Sequence, residues 1–359
     1  MQLVDWDLAT ATATRLVPPG PRLELAEAVA TVEDLRRRAA EAEGHVSAYT
    51  GLPACADGVG FAVVDRPGWI RSNAASFAEL VDPLLDTVLA KRAEALGPVM
   101  TAVGPRATGL EVGALLAYLS SRVLGQFELF GPAPTEGAPG GRLTLVAPNI
   151  VAAERSLGVD APDFRLWVCL HEVTHRTQFA AAPWLHEHVR TLLRDYLGAS
   201  DLDPAALVSR FRHAVRGLSD SVRGRSQLSL LELVQTPEQR VVLDKVTGLM
   251  SLLEGHADVV MDGVGPQVVP SVATIRARFE QRRRSGGPVD RAVRRLLGLD
   301  MKMRQYAEGA EFVRGVVAAV GMEGLNKIWQ SADLLPDVAE IRDPAAWLAR
   351  TGSPPAITA

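Results

Sequence analysis

One stretch constrains the fold of this chain more than any other. Between residues 160 and 181 the sequence is apolar on nearly every side of a predicted helix, yet His171, Glu172 and His175 lie in the middle of it. A helix that is apolar all round is normally buried. Burying two imidazoles and a carboxylate is unfavourable unless each finds a partner. The chain must therefore fold so that these three side chains meet polar groups or a metal ion inside the protein.

The spacing of the three residues is typical of a metal site. His171 and His175 are four positions apart, so both imidazoles lie on one helical face and can reach one ion. The Glu172 carboxylate then lies beside the ion, where it can take a proton from a bound water. Zinc held in this way lowers the pKa of that water towards about 7. We predict one zinc ion per chain with Glu172 as general base. The pattern also occurs by chance, and the alternative is a pair of core or surface histidines.

A third ligand is required, and Glu254 is the best candidate. It lies near the end of a second long helix predicted over residues 237–262, and Asp258 follows one turn later on the same face. We expect Glu254 to bind the ion and Asp258 to accept a hydrogen bond from the outer nitrogen of a ligating histidine. His256 is about 200° from Glu254 around the helix, so the two cannot both face the ion. We expect His256 to pack in the core or to contact a metal ligand and not the ion itself. An ion pair with an arginine at the helix end is the alternative interpretation of the two acidic residues.

Other candidates for the third ligand are less favoured. They are His186, Glu187, His188 and His213. The first three follow a helix-stopping proline in an arginine-rich stretch, which is typical of an exposed helix. The last lies among arginines as well, so we interpret all four as surface residues.

The composition excludes several classes of protein. The chain has 359 residues, 47% hydrophobic and 22% charged, which provides a large core and argues against intrinsic disorder. Its net charge of −4 does not indicate nucleic acid or an acidic membrane as a partner. No apolar run approaches the roughly 18 residues of a membrane span, and the first residues lack the pattern of a secretory signal. We expect a cytoplasmic protein that binds neither nucleic acid nor membranes.

The two cysteines indicate neither a disulfide framework nor a metal site. Cys55 and Cys169 are too few for such a framework, and neither belongs to a CxxC pair. Cys169 precedes His171 by two positions on the predicted helix and so points away from the ion. We interpret it as a core residue.

The rest of the chain is predicted to be mostly helical. Helices are expected over residues 23–42, 76–96, 107–124, 160–181 and 237–262. Short apolar runs predict strands at 60–64, 127–130 and 143–146. The segment 65–68 reads as a turn after the first strand. Thr236 and Gln239 have the residue types of a capping box, and Asp160 or Asp163 suits the N-cap of the earlier helix.

These elements predict a mostly helical α+β fold with a small β-sheet and two helices that cross at the metal site. We divide the chain into an N-terminal part, 1–140, and a catalytic part, 141–352. Inserted helices over 183–234 separate the two metal-binding helices. A loose tail is expected at 353–359.

Several segments resemble one known family. They are VDWDLATATATRLVPPGP at the start, VVDRPGWIRSN at 63–73, LHEVTHRTQF, LLEGHADVVMD, LLGLDMKMRQYAEG at 296–309 and LPDVAEIRDPAAWLAR near the end. Together they are similar to the zincin-like metallopeptidase family type 2, whose members are often described as hydrolases or linked to biosynthesis of the deazaflavin coenzyme. HEVTH with Glu254 and Asp258 also resembles the gluzincin branch, in which the glutamate is the third zinc ligand. The two motifs lie further apart here than in the thermolysin type.

The resemblance implies a zinc-dependent metallopeptidase or related hydrolase that cleaves a peptide or amide bond through a zinc-bound water. Such enzymes stabilise an oxyanion, and Tyr306 is a candidate for that role, with a buried structural tyrosine as the alternative. The strand at 143–146 is a candidate edge strand for holding an extended peptide, with Asn149 as a further part of its wall. Two other functions stay open: a non-catalytic zinc-binding interaction protein, against which Glu172 argues, and a hydrolase of small amides. The sequence does not identify the substrate or the oligomeric state.

Overall fold

The structure of the protein is a computed structural model. The structure describes residues 4–54, 61–90, 98–129, 141–199, 236–284 and 299–352. The chain divides into two compact units, the first formed by 1–186 and 257–280 and the second by 187–256 and 281–359. The first unit runs through the boundary predicted at residue 140. The fold class is confirmed, since the elements are mostly helices with one small sheet.

The first unit contains most of the elements. In chain order they are α1 (Trp6–Leu16), α2 (Leu25–Thr50), β1 (Ala62–Val64), α3 (Arg66–Ala90), α4 (Pro98–Ser120), β2 (Gly125–Glu128), β3 (Arg142–Val146), α5 (Ala147–Leu157) and α6 (Ala161–Ala181). The last two turns of α8 (Pro237–Gly263) and most of α9 (Val272–Arg284) also belong to it. Among the described residues, no helix combines the length and the apolar character needed to cross a membrane.

The described part of the second unit consists of helices. They are the larger parts of α7 (Trp184–Gly198) and α8, together with α10 (Leu299–Leu325), α11 (Val338–Arg342) and α12 (Pro344–Arg350). Two short 3₁₀ segments at 326–330 and 332–334 follow α10. The part of the predicted helical insertion between 200 and 235 lies outside the described residues, as does the tail from 353.

Local sequence signals place the two long helices that carry the predicted site. The Asp160 carboxylate accepts a hydrogen bond from the Asp163 N–H at 3.0 Å and caps α6, which ends before Pro183. At the start of α8, Thr236 Oγ1 accepts from the Gln239 N–H and the Gln239 amide oxygen accepts from the Thr236 N–H, both at 3.0 Å. The predicted capping box is therefore confirmed.

The turn predicted at 65–68 is wrong, because α3 already begins at Arg66. The Asp65 carboxylate accepts a hydrogen bond from the Gly68 N–H at 2.7 Å, as a helix N-cap does. Pro67 lies in the first turn, where the N–H that it lacks would have no helical partner. The Pro-Gly pair that suggested a turn is thus the opening of a helix.

The sheet has the strand order β1-β3-β2. β1 runs parallel to β3 and β2 runs antiparallel to it, with Gly125 opposite Leu145. The prediction that residues 143–146 form an edge strand is wrong, because β3 is paired on both sides. β1 and β2 are the edges of the sheet that the structure describes.

The core of the first unit is centred on α6. α2, β3, α5, α9 and the end of α8 pack around this helix, and Leu35, Phe164, Leu170, Val260 and Ile275 are fully buried there. A second apolar cluster joins α1, α3 and α4 to the end of β3. The helix that carries His171 and His175 is therefore buried as its sequence predicts.

Helices α8 and α10 approach closely within the second unit. Gly255 on α8 lies against Gly309 on α10, and a Cβ added to either glycine would overlap the backbone of the other helix. At Gly309 this Cβ would lie 2.6 Å from the carbonyl carbon of Ser251. Only glycine permits this approach, which fixes the part of α8 that carries Glu254.

Candidate metal centre

The two histidines of the predicted motif face each other on α6. The Nε2 atoms of His171 and His175 are 3.2 Å apart, and the two rings are nearly perpendicular. Two nitrogens bound to one tetrahedral zinc ion at 2.0–2.1 Å would be separated by about 3.3 Å. Both side chains are partly exposed. The pair therefore fits one zinc ion, and neither ring is fully shielded from solvent.

Glu254 completes a group of three possible ligands. One ligand atom each from His171, His175 and Glu254 lies within 4.8 Å of the other two. Within the described ranges, this is the group of histidine, cysteine and acidic residues whose spacing could hold a metal ion. The end of α8, which begins about one turn after Glu254, packs in the core of the first unit. The three residues proposed from the sequence are thus brought together.

Glu172 lies beside the histidines in a protected position. Its side chain is 7% exposed, and β2 passes directly against it. A Cβ at Gly125 would lie 2.8 Å from both Cγ and Cδ of Glu172. The glycine therefore makes room for the carboxylate. The sequence analysis missed Gly125, since nothing local distinguishes it from other glycines before a strand.

A second residue that the sequence analysis missed is Gln178. Its amide oxygen lies 3.0 Å from Nδ1 of His175, and its side chain is fully buried. Residues three apart are neighbours on a helix, so this contact needs only the helix itself. The spacing from His175 to Gln178 was the signal that could have revealed it.

The expectation for Asp258 needs correction. The outer nitrogen of His175 contacts Gln178 and not Asp258. The Asp258 carboxylate instead lies 3.8 Å from the Arg276 guanidinium, which is 2.6 Å from Asp262. For Asp258, the structure thus contains an arginine ion pair, as the alternative named above expected. A role for Asp258 at the outer nitrogen of His171 stays a prediction.

His256 and Cys169 are core residues. His256 is fully buried, and its ring centroid lies 5.4 Å from that of Trp329. This agrees with the packing role expected from the helix geometry. Cys169 is also fully buried, and burial raises the pKa of its thiol. The charge of Glu172 acts in the same direction but is a smaller cause than burial.

The interpretation of residues 186–188 as a purely exposed surface is partly wrong. His186 is partly buried and packs edge-on against Phe127 and Phe179, at centroid distances of 6.3 and 5.2 Å. Burial, followed by the nearby charge of Lys245, lowers the pKa of His188. Glu187 is exposed as expected and pairs with arginines of its own helix. His213 lies outside the described residues.

Asn149 does not form a substrate-binding wall. It is 3% exposed, its amide nitrogen donates to the carbonyl oxygens of Ser120 and Val123, and its oxygen accepts from Arg66 at 2.7 Å. The amide is fully used in joining helices. Tyr306 belongs to α10, but its side chain lies outside the described residues, so its proposed role stays a prediction.

Two similarities to known proteins extend over nearly the whole chain. The model of one family, the zincin-like metallopeptidases, matches residues 4–348. The crystal structure of a candidate hydrolase with a novel fold from Chloroflexus aurantiacus is 32% identical in sequence and superposes with a TM-score of 0.68, covering 98% of this chain and 99% of that chain. No curated protein matches the chain significantly. The similarities therefore concern the fold as a whole as well as the HEVTH stretch.

Proposed function

Because the chain belongs to the zincin-like metallopeptidase family, we propose that it is a zinc-dependent hydrolase that cleaves a peptide or related amide bond. The observation that carries this proposal is the group formed by His171, His175 and Glu254, whose ligand atoms lie within 4.8 Å of one another. The similar structure from Chloroflexus aurantiacus, a candidate hydrolase, supports the same class of reaction.

The donor set suits zinc. Two imidazole nitrogens and one carboxylate oxygen are ligands that catalytic zinc sites use, with a fourth position left for water or substrate. A zinc ion held by these residues would supply a Lewis acid that polarises the scissile carbonyl and lowers the pKa of a bound water. The partial exposure of all three side chains leaves the fourth position accessible.

Glu172 provides the proton transfers. Its carboxylate takes a proton from the water whose oxygen attacks the carbonyl carbon, and it then delivers that proton to the amide nitrogen as the C–N bond breaks. The products are a carboxylic acid and an amine. The burial of Glu172 against Gly125 restrains the carboxylate next to the two histidines. A purely structural zinc site would have no use for such a carboxylate.

The position of β2 favours a peptide as the substrate. β2 is an edge of the described sheet, and its first residue, Gly125, contacts Glu172. An extended peptide that adds to this edge would place its backbone beside the general base. β2 thus takes the role that the sequence analysis gave to residues 143–146.

The metal part of the proposal is tested by zinc content. Protein purified without chelators should contain about one zinc per chain, and His171→Ala or His175→Ala should remove it, since two remaining ligands bind weakly. His45→Ala is the matched control, because His45 lies on α2 and pairs with Glu41 at 3.8 Å. Equal zinc content in all four proteins would contradict the proposal.

The catalytic part is tested by Glu172→Gln. This variant keeps the shape of the side chain and removes the proton transfer, so hydrolysis of a mixture of internally quenched peptides should fall by about 10² to 10⁴. Zinc content should stay unchanged. Retained hydrolysis in this variant would assign the activity to another site or to a contaminant.

A further inference from the structure

Gln178 contacts one of the proposed metal ligands, and a role for it rests on the proposed function. Gln178 lies on α6, three residues after His175, and its side chain is completely shielded from solvent. The amide oxygen lies 3.0 Å from Nδ1 of His175. A buried amide is unfavourable unless its polar atoms are satisfied. Here one of its partners is a histidine that faces the metal site.

The chemistry of this contact selects one form of His175. An amide oxygen can only accept a hydrogen bond, so Nδ1 of His175 must carry the hydrogen. A neutral imidazole has a single N–H, so Nε2 then carries a lone pair and no hydrogen. That lone pair is directed towards the site, since Nε2 lies 3.2 Å from Nε2 of His171. This is the form that binds a metal ion through Nε2.

We propose that Gln178 is a positioning residue that holds His175 in its Nδ1–H tautomer and thereby sets the affinity of the site for zinc. The amide fixes the orientation of the ring without adding charge. A carboxylate at the same place would accept a stronger hydrogen bond and make the imidazole a better ligand. An apolar side chain of similar length would leave both the tautomer and the ring orientation unrestrained.

A series at position 178 tests this assignment. Gln178→Met keeps the length of the side chain and removes the acceptor, whereas Gln178→Glu replaces the amide with a carboxylate. Thr177→Val is the matched control, because it removes a buried hydroxyl of the same helix that bonds to the Val173 carbonyl oxygen at 3.0 Å. The binding probe is zinc alone, in competition with a chromophoric chelator.

Zinc affinity should follow the strength of the acceptor. We expect Gln178→Met to lose about 10- to 100-fold in affinity, the range usual for outer partners of metal ligands. Gln178→Glu should bind zinc at least as tightly as the wild type. Thr177→Val should match the wild type. Circular dichroism would confirm that each protein compared is folded.

The tautomer itself can be observed without any metal. With ¹⁵N-labelled histidine, the long-range ¹H–¹⁵N spectrum of metal-free protein distinguishes protonated from unprotonated ring nitrogens, and a His175→Asn sample assigns the signals. We expect His175 to be protonated at Nδ1 in the wild type and in Gln178→Glu. This preference should disappear in Gln178→Met, an effect that loss of packing alone would not produce.

The outcomes separate this proposal from the proposed function. An unchanged tautomer together with unchanged zinc affinity in Gln178→Met would overturn the role of Gln178. If Gln178→Met does not fold, two other results would overturn the role of Gln178. One is a wild-type protein in which His175 lacks the Nδ1–H tautomer, and the other is a folded Gln178→Glu variant that binds zinc ten times more weakly. Absence of zinc binding in the wild type would end the proposed function, while the metal-free spectra would still decide whether Gln178 selects the tautomer.

Discussion

Gly309→Ala is the prediction that depends most directly on the packing behind Glu254. The added Cβ would lie 2.6 Å from the carbonyl carbon of Ser251 on α8. The Ser251 carbonyl oxygen would lie nearer still. Since carbon atoms in contact are normally 3.5–4.0 Å apart, the two helices must separate locally by more than about 1 Å. The obstacle is backbone and not the end of a flexible side chain, so it cannot move aside alone.

The expected effects follow from that displacement. Overpacking of this kind typically destabilises a protein by about 1 to 3 kcal/mol. Glu254 lies one turn after Ser251 and moves with it, whereas a productive site requires its ligands to be held within about 0.5 Å. We therefore expect both a lower thermal unfolding temperature and zinc binding that is weaker by about tenfold or more.

The matched control is the same substitution where space is open. A Cβ at Gly44, within helix α2, would meet no atom within 4 Å. Gly44→Ala should stabilise the protein by about 0.5 to 1 kcal/mol, because alanine loses less conformational freedom in a helix. Thermal unfolding and chelator competition on both variants give the comparison. The reasoning would be refuted if Gly309→Ala matched Gly44→Ala in stability and the wild type in zinc affinity.

Two further predictions concern the first unit. Gly125→Ala places a methyl group 2.8 Å from Glu172 Cδ, so the carboxylate must shift by about 1 Å. Because of this shift, hydrolysis of quenched peptides should fall by about 10²-fold, while the zinc content stays unchanged. Undiminished turnover would show that β2 does not restrain Glu172. In a Cys55→Ser background, buried Cys169 with its raised thiol pKa should not react with Ellman's reagent at pH 8 until urea unfolds the protein. Equal rates before and after unfolding would contradict its placement in the core.

The parts of the fold that the sequence predicts are those that depend on neighbouring residues. The cap at Asp160 and the stop at Pro183 define α6, and both act within a few residues of the helix. The histidine spacing is likewise a property of one helix, and so is the capping box of α8. No local signal encodes the approach of Glu254 to the histidines. Only the chemistry of these residue types, which suits a shared metal ion, indicates it.

The errors arise where contacts are made over long distances in the chain. The run Leu143 to Val146, predicted as an edge strand, is the central strand of the sheet, and its partners are strands that lie elsewhere in the chain. The pairing of Asp258 with Arg276 could not be predicted from neighbouring residues, because Arg276 lies on a different helix. Gln178 lies in the same helix as His175, but an amide is not one of the usual zinc ligands, so a pattern of metal ligands does not include it.

The segment 63–73, far from the histidines in sequence, acts on the site through β2. The Trp69 indole donates to Gln126 at 3.0 Å and the Ser72 hydroxyl donates to Glu128 at 2.7 Å, so α3 holds one face of β2. Successive residues of a strand point to opposite faces, which turns Gly125 towards α6 and the Glu172 carboxylate. This segment therefore helps to position the strand against which the proposed general base is packed.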